Sequence, residues 1–152
     1  MLRLAYLLGQ VIVESDKGRA EHEYASGIAY EGRVDLGNVF PGDGVRYKGR
    51  GGIECTGRAN YTAFAKKFGI DCVNHPELLE EPKWWVASAL WYWDTRSLNR
   101  LSDQDDILGV SQVVNQGSKA NPKKPRLRLP NGYADRVKYT QQCKVALAPL
   151  FT

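Results

Sequence analysis

Histidine is scarce in this chain. There are two, His22 and His75, and they lie far apart in the sequence. A histidine-based metal site and a serine-type triad are therefore both disfavoured. Cysteine is sparse as well. Cys55, Cys72 and Cys143 are odd in number and have no metal-ligand spacing, so they read as reduced core thiols of a cytosolic product. No apolar run is long enough to span a bilayer, and no charged-then-apolar leader ends at a small-residue cleavage site. The opening LRLAYLLGQVIVE is interrupted by Gln10 and Glu14 and reads as a first helix. Secretion by the general route and stable membrane anchoring are not expected. Internal repeats and low-complexity tracts are also missing.

What is present suits one folded domain over residues 1–152, with 43% hydrophobic residues to build a core. The net charge of +4 favours anionic partners such as nucleic acid, a bacterial wall or an outer envelope. The densest basic run, residues 119–128 (KANPKKPRLR), holds Pro122 and Pro125 and no aromatic for base stacking. It reads as a solvated loop, and nucleic acid is not an expected partner.

Residues 4–23 organise the rest. Leu4, Leu7, Leu8 and Val11 recur at helical spacing, and Glu14 continues the stripe. An ionised carboxylate is costly to bury unless paired. The turn-formers Asp16 and Gly18 end the helix soon after Glu14, which places this acid near the negative end of the helix dipole. Burial and dipole both disfavour its charge and predict a raised pKa, as a general acid requires. A structural Glu paired with an Arg is the competing reading.

Residues 16–41 are irregular, with one short helical turn around 25–30, and contain Glu21, Glu23 and Glu31. A long structured loop of this kind is more often functional than idle. Next, the glycine-rich VRYKGRGGIECTG predicts a short β-hairpin in which Ile53 and Cys55 face the core while Glu54 and Thr56 face a cleft or solvent. Its GxGRGG spacing lacks the Lys-Ser/Thr and the βαβ context of a phosphate loop. Thr56 is then the expected N-cap of a helix over 57–68 closed by Gly69, with Tyr61, Phe64, Ala65 and Phe68 buried. All four tryptophans fall in residues 83–95, apolar nearly all round, which predicts a central buried helix. Core packing is the expected role for most of them, with sugar stacking the alternative for one or two. Ser102 begins the next predicted helix, with Asp103, Asp105 and Asp106 in its first turns and Ile107, Val110 and Val114 inward. The last helix shows a stripe of Tyr139, Cys143, Ala146, Leu147 and Leu150. Arg136 lies on the same face, where a carboxylate partner is expected. The fold class is mainly α, with a small β-hairpin lobe at about residues 32–56.

Five blocks in order, VIVES, YKGRGGIECTGRANY, WWVASALWYW, VVNQG and NGYADR, resemble the chitinase-like glycoside hydrolases of family 19. Within that family the bacteriophage and prophage endolysins are the most similar branch. The resemblance implies a lysozyme-like, mostly helical domain with a cleft between lobes. It also implies inverting hydrolysis of β-1,4 bonds between N-acetylated amino sugars, with no metal and no cofactor. On this resemblance Glu14 is the general acid. Glu23, nine residues later (23 − 14 = 9), is the general base, with Glu21 its rival. Thr56 holds the attacking water, Asn115 contacts a sugar, and Arg136 lies near the acid. Tyr47, Arg50 and Tyr61 build or line the cleft. Glu54 stands where the family usually has a cleft-facing Gln, Val13 where it often has His, and Asn115-Gln116-Gly117 where it has Asn-Gly-Gly. Family members usually carry a further helix ahead of the first one here.

Inversion requires the two carboxyl groups roughly 6.5–9.5 Å apart, with a water between. The phage-type likeness, the lack of a leader and the basic charge favour peptidoglycan over chitin. They imply a monomer that waits in the host bacterial cytoplasm until the membrane is permeabilised and then reaches the wall and periplasm. The alternatives are a chitinase and a wall-binding module without catalysis.

Overall fold

The helical spacing at the start of the chain produces α1 (Leu2–Glu14), but its buried face is not the leucine stripe. Ala5, Tyr6, Gly9 and Gln10 are buried, Leu4 is exposed, and Leu7, Leu8, Val11 and Glu14 are half-buried. A Cβ on Gly9 would overlap Thr140 Oγ1 and lie 2.8 Å from the Thr140 Cα and N. The bare glycine thus lets the backbone of α1 close on α7 (Tyr133–Leu147). Gln10 donates its Nε2 to Ser111 Oγ at 3.3 Å and accepts Arg136 Nη1 at 2.7 Å, all three residues being buried. Close backbone approach and a satisfied polar network decide the orientation against the apolar count.

The computed structural model describes residues 1–119 and 128–151. Apart from its two ends, the basic run 119–128 lies outside the described residues. The chain is mainly helical and forms two compact units, Met1–Val13 with Trp93–Thr152, and Glu14–Tyr92.

The first unit contains most of α1, then α5 (Leu98–Asp103), α6 (Ile107–Gln116) and α7. The single helix expected from Ser102 is two helices. Ser102 is buried inside α5, bonded to the Leu98 carbonyl at 2.9 Å. Asp105 takes a left-handed backbone, φ 55°, which breaks the run. Asp106 caps α6 by accepting the Gly109 amide at 2.9 Å. Asp105 also accepts the Tyr6 phenol at 2.6 Å and pairs with Lys144, which hold its carboxyl below the usual range. Along α7 the inward residues are Arg136 and Thr140. Cys143 and Leu147 are half-buried, but Ala146 and Leu150 of the expected stripe are exposed.

The second unit holds α2 (Asp43–Arg46), α3 (Arg58–Phe68) and most of α4 (Pro82–Thr95). No β-hairpin forms among its described residues. Val45 lies in α2, and the glycine-rich segment makes two isolated antiparallel bridges, His22 with Arg50 and Arg50 with Cys55. Glu54 has φ 46°, so the chain turns there instead of extending. Ile53 and Cys55 are buried nonetheless, at 4% and 2% exposure, because the turn still directs them to the core. α3 starts after Gly57 with no side-chain cap, and Gly69 ends it in the left-handed conformation. The expected Thr56 cap is absent because Thr56 Oγ1 donates to the Glu54 carbonyl at 2.7 Å.

The core of this unit is Tyr47, Cys55, Tyr61, Phe64, Cys72 and Leu79, with Trp84 and Trp91 packed on it. Phe64 meets both indoles edge-on, with centroids 6.3 and 5.5 Å away. α4 is not buried all round. Lys83, Val86, Leu90 and Asp94 lie three and four apart on an exposed face. All three cysteines are free thiols. Among the described residues no helix is long and apolar enough to cross a membrane.

Candidate active site

Glu23 lies in the second unit. Although its segment is irregular, the residue is only 8% exposed. The segment carrying it is laid against the glycine-rich turn by backbone pairing. The Glu23 amide donates to the Gly49 carbonyl at 2.9 Å, and the Gly51 amide donates to the Glu21 carbonyl at 3.1 Å. In return the Gly49 amide donates to Glu23 Oε1 at 2.9 Å, and the Tyr30 phenol donates to Oε2 at 2.8 Å. Each carboxylate oxygen thus receives a donor, the arrangement suited to an acceptor-only, ionised group. Burial first, and then the bond to Glu23, pushes the Tyr30 phenol up to about 12, so Tyr30 stays protonated and donating.

Gly49 is also where other predicted residues gather. A Cβ placed on it would lie 2.9 Å from Glu54 Cβ, 3.3 Å from Thr56 Oγ1 and 3.5 Å from Glu23 Cβ. Glu23, Glu54 and Thr56 therefore surround one bare glycine. Tyr24, next in sequence to the acid, is 77% exposed, and its phenol donates to Asp16 Oδ2 at 3.2 Å.

Beneath this cluster Arg50 ties the layers together. Its backbone makes both bridges, and its side chain reaches Glu80 Oε1 at 2.8 Å, the Arg46 carbonyl at 2.9 Å and the Tyr61 phenol at 3.2 Å. Tyr61 is fully buried and donates to the Lys48 carbonyl at 2.8 Å. Burial raises its pKa, with Arg50 opposing. Tyr47, also buried, donates to the Val73 carbonyl at 3.1 Å. Tyr47, Arg50 and Tyr61 thus fix the backbone on which Glu23, Glu54 and Thr56 stand.

Three predicted residues remain, Glu14, Asn115 and Arg136. Glu14 is the last residue of α1 and half-buried, immediately before the left-handed turn at Asp16 and Lys17. Asn115 and Arg136 belong to the first unit and converge on Asn131. Asn115 Oδ1 accepts the Asn131 amide at 3.0 Å, and Arg136 Nε donates to the Asn131 carbonyl at 2.8 Å. Among the described residues no group of three or more His, Cys, Asp and Glu could hold a metal ion.

Tyr30 and its support join the site without a motif in the sequence to mark them. Asn38 is fully buried. Its Nδ2 donates to the Tyr30 carbonyl at 2.9 Å, and its Oδ1 accepts the Arg58 amide, the first of α3, at 2.8 Å. The Arg58 guanidinium lies between the rings of Phe40 and Tyr47 and pairs with both oxygens of buried Asp43. Arg58, and then the Phe40 and Val39 amides, outweigh burial and hold the Asp43 carboxyl below its usual range.

The chain is similar to known proteins in sequence and in fold. The family model of glycoside hydrolase family 19, chitinase class I, matches residues 4–129. A glycosyl hydrolase family 19 domain-containing protein of Haemophilus influenzae is 35% identical over 78 residues, 51% of this chain and 38% of that protein. Chitinase 8 of rice, Oryza sativa subsp. japonica, is 32% identical over 111 residues, 70% of this chain and 40% of the relative. The chain thus spans well under half the length of these relatives. The crystal structure of chitinase C from Streptomyces griseus superposes with a TM-score of 0.68 at 20% identity, covering 97% of this chain and 60% of that one. The mainly helical architecture is therefore the one found in that chitinase, and the chain belongs to glycoside hydrolase family 19.

Proposed function

We propose that this chain hydrolyses β-1,4 bonds between N-acetylated amino sugars of peptidoglycan, with inversion, as an endolysin. Glu14 is the general acid that protonates the leaving oxygen. Glu23 is the base that takes a proton from a water held with Thr56, and that water attacks the opposite face of the sugar. Glu54 contacts the sugar. The observation that carries this reading is Glu23 itself: buried, with a donor on each oxygen, beside Thr56 and Glu54 at Gly49. A base must be held in one ionised geometry at the point of attack.

The basic charge of the chain supports an anionic wall polymer over neutral chitin. The enzyme works as a monomer. It remains in the host bacterial cytoplasm until the membrane is breached, then acts on the wall. Chitin is the second reading, favoured by the match to chitinase 8 of rice.

Purified peptidoglycan and chitin oligomers, digested side by side, separate the two substrates. NMR of the first-formed anomer tests the mechanism, since retained configuration refutes inversion. Glu14→Gln and Glu23→Gln should each lower kcat by at least about a hundredfold while the fold persists.

A further inference from the structure

We infer that Tyr30 is the positioning residue of the catalytic base: its phenol fixes the direction of the Glu23 carboxylate. The inference rests on the reading of Glu23 as that base. Tyr30 is half-buried and makes no backbone pairing with the segment that carries Glu23, so its phenol is a separate constraint on the acid. The Gly49 amide bonds Oε1 and leaves the carboxyl free to pivot about that bond. The phenol at 2.8 Å on Oε2 removes that freedom.

The phenol is itself held in place. Tyr30 ends the 3₁₀ turn Ile28–Tyr30, and its carbonyl is gripped by Asn38, whose other amide atom is anchored to the first amide of α3. Asn38 Nδ2, Asn38 Oδ1 and the Arg58 amide thus form a buried bridge from a helix to the tyrosine. Rigid support of this kind is what a precisely aimed acid requires. The charged groups that act on the phenol are Glu23, Glu54 and Arg33, and Lys48 Nζ lies 3.3 Å from the Glu23 carbonyl. A donor to the charged form of a carboxylate favours that form. Removing the phenol would therefore take one of the two described donors from the Glu23 carboxylate.

The test is Tyr30→Phe, which keeps the ring and removes only the hydroxyl. A hydrogen bond to a charged group is large enough to move a titration by about one pH unit. The acid limb of the kcat/KM profile should move upward by about that much. kcat should fall about tenfold at neutral pH, and KM should stay within about twofold. Replacing Tyr30 by 3-fluorotyrosine, a stronger donor with the ring and hydroxyl intact, should move the acid limb the other way. This second variant also serves if Tyr30→Phe folds poorly.

A Tyr30→Phe protein that loses thermal stability but keeps its acid limb, together with an unmoved limb in the fluorinated protein, assigns Tyr30 a merely structural role and overturns the inference. Glu23→Gln run in parallel separates the two readings. If that variant still turns over substrate, the base is misassigned and the inference falls with it. If that variant is dead while both Tyr30 profiles stay put, only the inference fails.

Discussion

Replacing Gly49 by Ala adds one methyl group at the centre of the Glu23, Glu54 and Thr56 cluster. The new Cβ would stand 2.9 Å from Glu54 Cβ, 3.3 Å from Thr56 Oγ1 and 3.5 Å from Glu23 Cβ. Carbon atoms rest about 3.5–4.0 Å apart, so the Glu54 carbon must retreat by roughly 0.6–1.1 Å. Retreat is difficult, because Glu54 sits in a left-handed turn and its amide is bonded to the Gly51 carbonyl at 3.0 Å. Overpacking of this kind costs about 1–3 kcal/mol. For a chain of this size that is a fall in Tm of roughly 2–12 °C. The effect on rate should be larger than the effect on stability. A misplacement of about 1 Å in a reacting group costs on the order of a hundredfold, so kcat should fall about ten- to a hundredfold with the protein still folded. Calorimetry and oligosaccharide turnover on one preparation give both numbers. Native stability and native kcat together would refute the crowding of acids around Gly49.

Two further outcomes follow from the packing. Gly9→Ala should destabilise by about 2–3 kcal/mol in urea titration, because the methyl would press on the Thr140 backbone. Helix propensity alone predicts a gain of about 1 kcal/mol, so a stabilised variant would contradict the close approach of α1 to α7. Asp43→Asn should cost about 2 kcal/mol at neutral pH by removing a buried acceptor from Arg58 and two amides. Since the folded pKa of Asp43 is lowered, its stabilising contribution is complete above about pH 4 and is lost as pH falls through the folded value. The stability gap between wild type and variant should therefore close in acid, and a gap constant down to pH 2 would contradict the Arg58 pairing.

Helices were readable from the sequence where spacing and punctuation agreed. α3 begins and ends within a residue of its expected span, and the short turn at residues 25–30 is the 3₁₀ turn Ile28–Tyr30. Orientation was less readable. The face of α1 is set by Gly9 and Gln10, whose contacts lie about 100 residues or more away in sequence, and no local pattern reports such partners. The expected hairpin failed for a related reason. Alternating apolar residues at 53 and 55 are satisfied equally by a tight turn, once Glu54 accepts a positive φ. In the site, the grouping of Glu23, Glu54 and Thr56 confirms no role by itself, but it brings three of the expected residues to one point. Tyr30 was hidden because its function depends on one hydroxyl meeting an acid seven positions earlier across irregular backbone.

The turn at Glu54 has a consequence for how this segment meets another strand. A true hairpin would present an outer row of unsatisfied amides and carbonyls, which a neighbouring molecule can extend into a shared sheet. Here the amides of Arg50, Gly51, Gly52, Glu54, Cys55 and Gly57 are already bonded to six different carbonyls, those of Cys55, Glu21, Trp85, Gly51, Arg50 and Tyr47, with only the Arg50–Cys55 pair reciprocal. An incoming strand therefore finds no continuous register to copy along this glycine-rich stretch.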